Sequence, residues 1–445
     1  MEINQSIFKS YDIRGICPKE LDEAAAFSIG RAFVRHTGAK KVAVGRDARL
    51  FSGELFKALS AGLFSMGAEI FDIGQVPTEC LYFAVGFYDF DAGIMITASH
   101  NPKEYNGFKM IKKTGKEIEI IRGKDLLSSM ESAEFKKGEE VKIEKKDIFK
   151  DYTNHILSFA DLSQIMPLKA VADASNGVAG AVMSKIQDAL PAEIIALNFT
   201  PDGNFPNHSP NPLLEGSAIQ ASDAVIKEKA DFGVIFDGDA DRIFLIDENG
   251  KMARADTVLL LMAKYFLEKN PGMAIAYNAI CSKAVPEFIK KGGGAPVKTA
   301  VGFVNVREGL LKNNGIMGGE LSGHYCFKDN FYMDSGMIAF LTLFLVISKE
   351  NKKVSELIKD LSPYAKSPEM NFEIKDKDAV LNKIKEKYSG GKQDFLDGVT
   401  VEYNDWWFNV RPSNTEPLLR LTIEADTPEI LKQKQKELSS FISSF

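Results

Sequence analysis

The chain has 445 residues, of which 26% are charged and 45% hydrophobic, a balance that excludes a disordered or collagen-like protein. Lys plus Arg number 55 and Asp plus Glu 61, a formal net charge of −6, which argues against nonspecific binding to nucleic acid or an anionic membrane as the main activity. A local basic pocket for a small anion remains compatible with it. At about 150 residues per domain, the length suits about three domains.

Residues 1–15 carry Glu2, Lys9, Asp12 and Arg14 without an apolar segment, so no secretory leader is expected. The longest apolar run, 337–347, falls far short of a membrane span. Cys17, Cys80, Cys281 and Cys326 are widely separated, with neither zinc-site nor disulfide-framework spacing. The expectation is a cytoplasmic protein with reduced cysteines.

In chain order, residues 41–74, 169–198 and 273–302 repeat one pattern: apolar strand, polar or Gly-containing turn, amphipathic helix, second apolar strand. In the first, Leu55, Leu59, Gly62 and Leu63 recur at helical spacing. Alternating strands and helices predict βαβ units in mostly parallel sheets. The charge run 136–150 reads as a linker or an exposed edge before the next helix, and a domain boundary is drawn near it. From 367 onward the pattern changes to a short strand, a Lys-rich helix over 375–388, two long antiparallel strands and a final helix from 428, a small α+β domain.

Four segments carry candidate chemistry. Thr97-Ala98-Ser99-His100-Asn101-Pro102 follows a strand, so Ser99 lies at a strand's carboxyl end, where α/β sheets bind ligands. It reads either as a nucleophile beside a base or as an Asn/Ser/Pro turn, because adjacent side chains in a loop rarely face each other. Asp237, Asp239 and Asp241 alternate with small residues between two strands, and their mutual repulsion points to a hard divalent cation. An EF-hand loop would need Gly where Arg242 stands and helices on both flanks. A HAD-type phosphatase also uses an Asp-x-Asp pair at a strand end, but the usual Thr is missing after it. Glu320, Ser322 and His324 in a Gly-rich loop suit sugar hydroxyls, or form a plain polar turn. Arg411, Ser413, Asn414 and Thr415, followed by Arg420, suit a phosphate dianion, or form a hydrophilic hairpin loop.

Taken in order, YDIRG (11–15), TASHNP (97–102), YNGFKM (105–110), DGDADR (237–242), GGELSGH (318–324) and RPSNTEP (411–417) resemble the α-D-phosphohexomutase family. The fold that this resemblance implies is three related mixed-sheet α/β domains plus a smaller C-terminal α+β domain around a central cleft. The expected domains are 1–148 with a phosphoserine loop, 149–252 with a metal-binding loop, 253–366 with a sugar-binding loop and 367–445 with a phosphate-binding loop.

By the same resemblance, Ser99 is the phosphoserine that gives its phosphoryl group to the substrate and recovers it from a hexose 1,6-bisphosphate intermediate and activator. Asp237, Asp239 and Asp241 would hold Mg²⁺, with the Ser99 phosphate completing the site. Arg14, His100 and Lys109 match basic positions near the reacting phosphate, and Lys109 or a histidine is the expected base. Tyr11, Glu320, Ser322 and His324 would contact the sugar, Arg242 would contact it or orient the three carboxylates, and Arg411, Ser413, Asn414, Thr415 and Arg420 would clamp the distal phosphate. The implied activity interconverts hexose 6-phosphate and hexose 1-phosphate, mannose or glucose, with phosphoglucosamine and, more distantly, a sugar phosphatase as alternatives. Val301-Gly302-Phe303 lacks a histidine and Ile280 stands where a lysine is common, so the preferred hexose stays open. The expected partner is a small phosphosugar, with neither nucleic acid nor membrane, and the expected state is monomer or dimer.

Overall fold

Each of the repeated strand, helix, strand patterns forms as its hydrophobic periodicity predicts: Lys41–Arg46, Ser52–Ser65 and Glu69–Gln75; Lys169–Asp173, Ala179–Ile186 and Glu193–Leu197; Ala274–Asn278, Ala284–Lys291 and Ala295–Thr299. The computed structural model describes residues 4–131, 135, 141–413 and 418–445. It divides into two units, Met1–Arg254 with Ser322–Ser355, and Ala255–Leu321 with Glu356–Phe445.

The first unit holds a seven-stranded sheet of order Ile13–Ile16, Tyr105–Thr114, Ala92–Ile96, Lys41–Arg46, Glu69–Gln75 and Ile143–Lys145, with Glu117–Ile121 also paired to Tyr105–Thr114. Its Lys41–Arg46, Glu69–Gln75, Ala92–Ile96 and Ile143–Lys145 strands run parallel. Part of the charge run thus forms a sheet edge at Ile143–Lys145, while 136–140 lie outside the described residues. Side chains alternate across a strand, and Val42, Val44, Ile94 and Ile96 join one core with Ala26, Ile29 and Phe33 of helix Glu23–Thr37 and Leu55, Leu59 and Leu63 of Ser52–Ser65.

These two helices meet at glycines. A Cβ on Gly62 would lie 2.1 Å from the Phe27 carbonyl oxygen, and one on Gly30 would lie 2.5 Å from that of Leu59. Because the obstacles are backbone atoms, the helices must separate to admit a methyl group. Gly62→Ala is expected to lower stability by about 1–3 kcal/mol despite alanine's better helix propensity. A urea titration reads this as a lower midpoint at unchanged slope.

A second sheet in this unit has the order Ile243–Ile246, Phe232–Phe236, Lys169–Asp173 and Glu193–Leu197. Phe232–Phe236 runs parallel to Lys169–Asp173 and antiparallel to Ile243–Ile246, so residues 237–242 form the turn at its carboxyl end. The longest apolar run is core: Phe340 and Phe344 of helix Gly336–Glu350 pack on Phe236 and Phe232, with ring centroids 6.3 and 4.8 Å apart. Among the described residues, no helix is long and apolar enough to cross a membrane.

In the second unit, Ala274–Asn278 lies between Ala295–Thr299 and Met317–Gly319, all parallel. A six-stranded sheet follows, of order Ala365–Lys366, Leu418–Ala425, Trp406–Pro412, Val399–Glu402 and Lys392–Asp394, with Met370–Glu373 also on Leu418–Ala425. Helices Lys377–Lys387 and Pro428–Ile442 cover it through Val380, Ile384, Leu438 and Ile442. The sequence reading of two long strands here needs correction, because residues 403–405 turn the first into the hairpin Val399–Glu402 and Trp406–Pro412. Asn404 and Asp405 are turn formers, and the Tyr403 N–H donates to the Trp406 carbonyl, 2.9 Å, closing that turn.

Candidate active site

Ser99 sits just past the carboxyl end of the fully buried strand Ala92–Ile96, where the backbone takes φ +52°. That is left-handed for a non-glycine residue, a strain that persists only where surroundings impose it. Thr97 helps, since its hydroxyl accepts from the Ser99 N–H at 2.8 Å and donates to Asp239 at 3.1 Å. The Ser99 hydroxyl donates to Asp237 Oδ2 at 2.8 Å and lies 3.2 Å from His100 Nδ1. The adjacent side chains do face each other, against the expectation for a loop, because the left-handed residue turns them together.

The acidic turn approaches this loop closely. A Cβ on Gly238 would lie 2.7 Å from the Ser99 carbonyl oxygen, so only glycine fits there. Asp237, Asp239 and Asp241 are 0, 0 and 2% exposed, and each offers an oxygen within 4.8 Å of the others. Among the described residues, Asp239 Oδ1 and Asp241 Oδ1 accept no hydrogen bond, although His324 Nε2 stands 3.5 Å from the latter. Three converging buried carboxylates with unsatisfied oxygens fit a hard divalent cation, and the chain has an acidic cluster able to hold a metal ion.

Cationic side chains surround the cluster. Lys109, on strand Tyr105–Thr114, donates to Asp239 Oδ2 at 2.7 Å and also to Asp241 Oδ2. Burial opposes its charge, but Asp239, Asp241 and Asp334 outweigh it and raise its pKa, so Lys109 stays an ammonium. Arg242 donates from Nε to His324 Nε2, 3.2 Å, with Asp237 Oδ2 at 3.6 Å from the same nitrogen. His324 Nδ1 is 2.8 Å from the Ser322 hydroxyl, and its Nε2 is 3.5 Å from Asp241 and 3.7 Å from Asp334. Arg14, on strand Ile13–Ile16, pairs with Asp12 and donates to the Ala98 carbonyl and the Asn101 side chain, 3.3 and 2.5 Å. Half-buried Tyr11 precedes that pair.

Burial, then the charges of Asp239 and Asp241, push Asp237 up to about 8. Asp241 is held well below the ordinary carboxylate range, since Lys109, His324 and Arg242 outweigh the burial that opposes its charge. Burial, aided by Arg242 and Arg14, keeps the His100 imidazole neutral well below 6.5.

The structure thus gathers Ser99, His100, Lys109, Arg14, Asp237, Asp239, Asp241, Arg242, Ser322 and His324 in the first unit. In the second, buried Glu320 accepts from Asn278 Nδ2 at 3.2 Å and the Gly302 N–H at 3.1 Å. Arg411 and Arg420 face each other across a strand pair and both donate to Glu369, 2.9 and 3.0 Å. The Ser413 N–H donates to the Leu418 carbonyl, 2.8 Å, whereas Asn414 and Thr415 lie outside the described residues. Sequence reasoning missed Asp334, Glu369 and the Asp47/Arg49 pair. Only the last had a local signal, the polar turn after strand Lys41–Arg46.

Four family models match in succession: Phosphoglucomutase/phosphomannomutase, alpha/beta/alpha domains I, II and III, over residues 5–137, 150–250 and 254–364, and the C-terminal domain over 369–440. A phosphomannomutase of Escherichia coli strain K12 is 37% identical over 433 residues, 94% of each chain. One from Methanocaldococcus jannaschii is 37% identical over 443 residues, 98% of this chain and 97% of that one. A crystal structure of a phosphoglucomutase/phosphomannomutase family protein from Burkholderia thailandensis matches with TM-score 0.88 and 33% identity, covering 100% of this chain and 98% of that one. The chain belongs to the phosphoglucomutase/phosphomannomutase family, the α-D-phosphohexomutases. Its activity is accordingly that of a phosphohexomutase, an isomerase acting on sugar phosphates.

Proposed function

We propose that the chain is a Mg²⁺-dependent phosphomannomutase or phosphoglucomutase that works through a phosphoserine at Ser99 and a hexose 1,6-bisphosphate intermediate. The observation that carries this reading is the Ser99 hydroxyl directed at Asp237 within a cluster of three buried carboxylates. Phosphate monoesters react very slowly unaided, so catalysis rests on positioning and on neutralising charge.

In the forward half-reaction, the phosphorus–oxygen bond to Ser99 Oγ breaks and one forms to the free hydroxyl of the bound hexose phosphate. Ser99 Oγ regains a proton and the sugar hydroxyl gives one up. The second half-reaction reverses these bonds with the other phosphate of the reoriented intermediate. Asp237, Asp239 and Asp241 would hold the Mg²⁺, which supplies positive charge against the phosphate oxygens when bound. Lys109 and Arg14, beside the Ser99 loop, add fixed positive charge. Held between two carboxylates, Lys109 serves as that charge, and His100, with Nδ1 at 3.2 Å from Ser99 Oγ, is the group placed to exchange a proton there.

Arg242, Ser322, His324 and Glu320 are assigned to the sugar. Arg411, Ser413, Asn414, Thr415 and Arg420 are assigned to the distal phosphate. The buried guanidinium of Arg411, already taking the Glu369 carboxylate, has the bidentate chemistry that phosphate recognition uses. We further propose the domain division 1–148, 149–252, 253–366 and 367–445, a monomer or dimer, and a cytoplasmic setting suited to four buried cysteine thiols.

Phosphorus NMR of the purified protein with Mg²⁺, a trace of hexose 1,6-bisphosphate and, in turn, mannose, glucose and glucosamine 1-phosphate tests the reading. Mannose or glucose 1-phosphate is expected to convert fastest to the 6-phosphate. Fastest conversion of glucosamine 1-phosphate would place the enzyme with the phosphoglucosamine mutases, and steady release of inorganic phosphate would make it a phosphatase.

A further inference from the structure

We propose that Arg49 is the positioning residue that holds Ser99 for phosphoryl transfer, an inference that rests on Ser99 as the phosphoryl carrier. Arg49 lies in the turn after strand Lys41–Arg46, parallel neighbour of the strand that leads into Ser99, and is 3% exposed. Its guanidinium donates to four backbone carbonyl oxygens of the Ser99 loop and its exit. From one terminal nitrogen the acceptors are Pro102 at 2.7 Å and Tyr105 at 2.9 Å. From the other they are Ser99 at 2.7 Å and Asn101 at 2.6 Å.

This arrangement reads the shape of the loop. A planar fork with fixed donor directions can satisfy four carbonyls only if the loop follows one path. That path includes the left-handed Ser99, whose carbonyl turns onto Arg49 while its hydroxyl turns to Asp237 at 2.8 Å. The guanidinium is itself fixed from behind. Its Nε lies 3.2 Å from Asp47 Oδ2, and Asp47 Oδ1 accepts from the Arg49 N–H and the Ser52 hydroxyl, each at 3.0 Å. The Asp47 N–H donates to the Ile96 carbonyl at 3.0 Å, tying the turn to the end of the Ser99 strand. Phe205 covers the guanidinium with its ring centroid 5.2 Å away, and the same ring is 3.6 Å from where a Cβ on Gly238 would stand. One buried cation is thereby packed against the nucleophile loop and the metal-loop neighbourhood together.

Arg49 acts through Ser99, so its loss should slow phosphoryl transfer without weakening substrate binding. Arg49→Lys keeps the charge but cannot supply the fork. It is expected to lower kcat by about 10²-fold, the scale of a misplaced reacting group, with KM for the sugar phosphate changed by no more than about twofold. Transfer from hexose 1,6-bisphosphate to dephosphorylated Ser99, followed by quenched-flow and intact mass well below the variant's lowered melting temperature, should slow by a similar factor per folded molecule. An unchanged kcat, or a loss of activity only in step with the loss of folded protein, would overturn the inference. If Arg49→Lys yields no folded protein, Asp47→Asn decides: it leaves the four carbonyl bonds in place and loosens the guanidinium, and should show the same kcat-only loss in milder form. Ser99→Ala is measured in parallel. Activity there would defeat the phosphoserine reading, whereas an inactive Ser99→Ala beside a fully active Arg49→Lys would defeat the Arg49 inference alone.

Discussion

Ser99→Ala is expected to bind hexose phosphate with nearly wild-type affinity and to lose mutase turnover by about 10⁴-fold or more, the scale seen when a covalent nucleophile is removed. The change takes away one hydroxyl that is 0% exposed and hydrogen-bonded to Asp237. Its structural consequence is modest: one lost charged hydrogen bond, about 1.5–3 kcal/mol at most, while alanine tolerates the φ of +52° no worse than serine. The chemical consequence is large, because no phosphoryl group can be held between the half-reactions. Calorimetric binding of glucose 6-phosphate together with phosphorus NMR of turnover separates the two. A variant that binds and still interconverts the phosphates at the wild-type rate would remove Ser99 from the mechanism.

The second large effect concerns the metal. Asp237, Asp239 and Asp241 crowd three carboxylates into a site that is 0, 0 and 2% exposed, and among the described residues Asp239 Oδ1 and Asp241 Oδ1 accept no hydrogen bond. A divalent ion relieves that repulsion, so chelation is expected to abolish turnover and Mg²⁺ to restore it. At free Mg²⁺ about 100 times its dissociation constant, the folded protein should gain about 2.7 kcal/mol. In Asp239→Asn, most of that gain and most of the turnover should vanish together, although the fold survives because asparagine keeps a side-chain acceptor and Lys109 stays paired with Asp241. Thermal melts with EDTA and with Mg²⁺ read this directly. An equal Mg²⁺ response in wild type and variant would show that the ion binds elsewhere.

The parts of the account that were legible in the sequence share one property: their chemistry is local. Ser99 and the Asp237/Asp239/Asp241 turn follow strands whose unbroken apolar runs announce buried parallel β-structure, so the motifs could be placed at carboxyl ends without coordinates. The helix Ser52–Ser65 was equally plain from Leu55, Leu59 and Leu63, although the role of Gly62 as a contact point with Phe27 was not. What stayed hidden depends on partners distant in the chain. Arg49 bonds to the carbonyl of Ser99 and Lys109 to the carboxylates of Asp239 and Asp241, pairings that only the sheet order brings together. Asp334 and Glu369 stand in no recognisable motif; one joins the cluster beside His324, and the other joins Arg411 to Arg420. The hairpin at 403–405 was missed for a different reason, since continuous β-propensity on both sides of Asn404 masked a short turn.

The most direct test of the phosphoserine account is a single-turnover chase. Protein phosphorylated with labelled hexose 1,6-bisphosphate and freed of excess reagent would be mixed with glucose 6-phosphate or mannose 6-phosphate in Mg²⁺. The label should first map to Ser99 by tandem mass spectrometry. It should then leave the protein for the sugar and appear as hexose 1,6-bisphosphate, and as hexose 1-phosphate on further turnover. Label found on another residue, or released as inorganic phosphate without passing to the sugar, would contradict it.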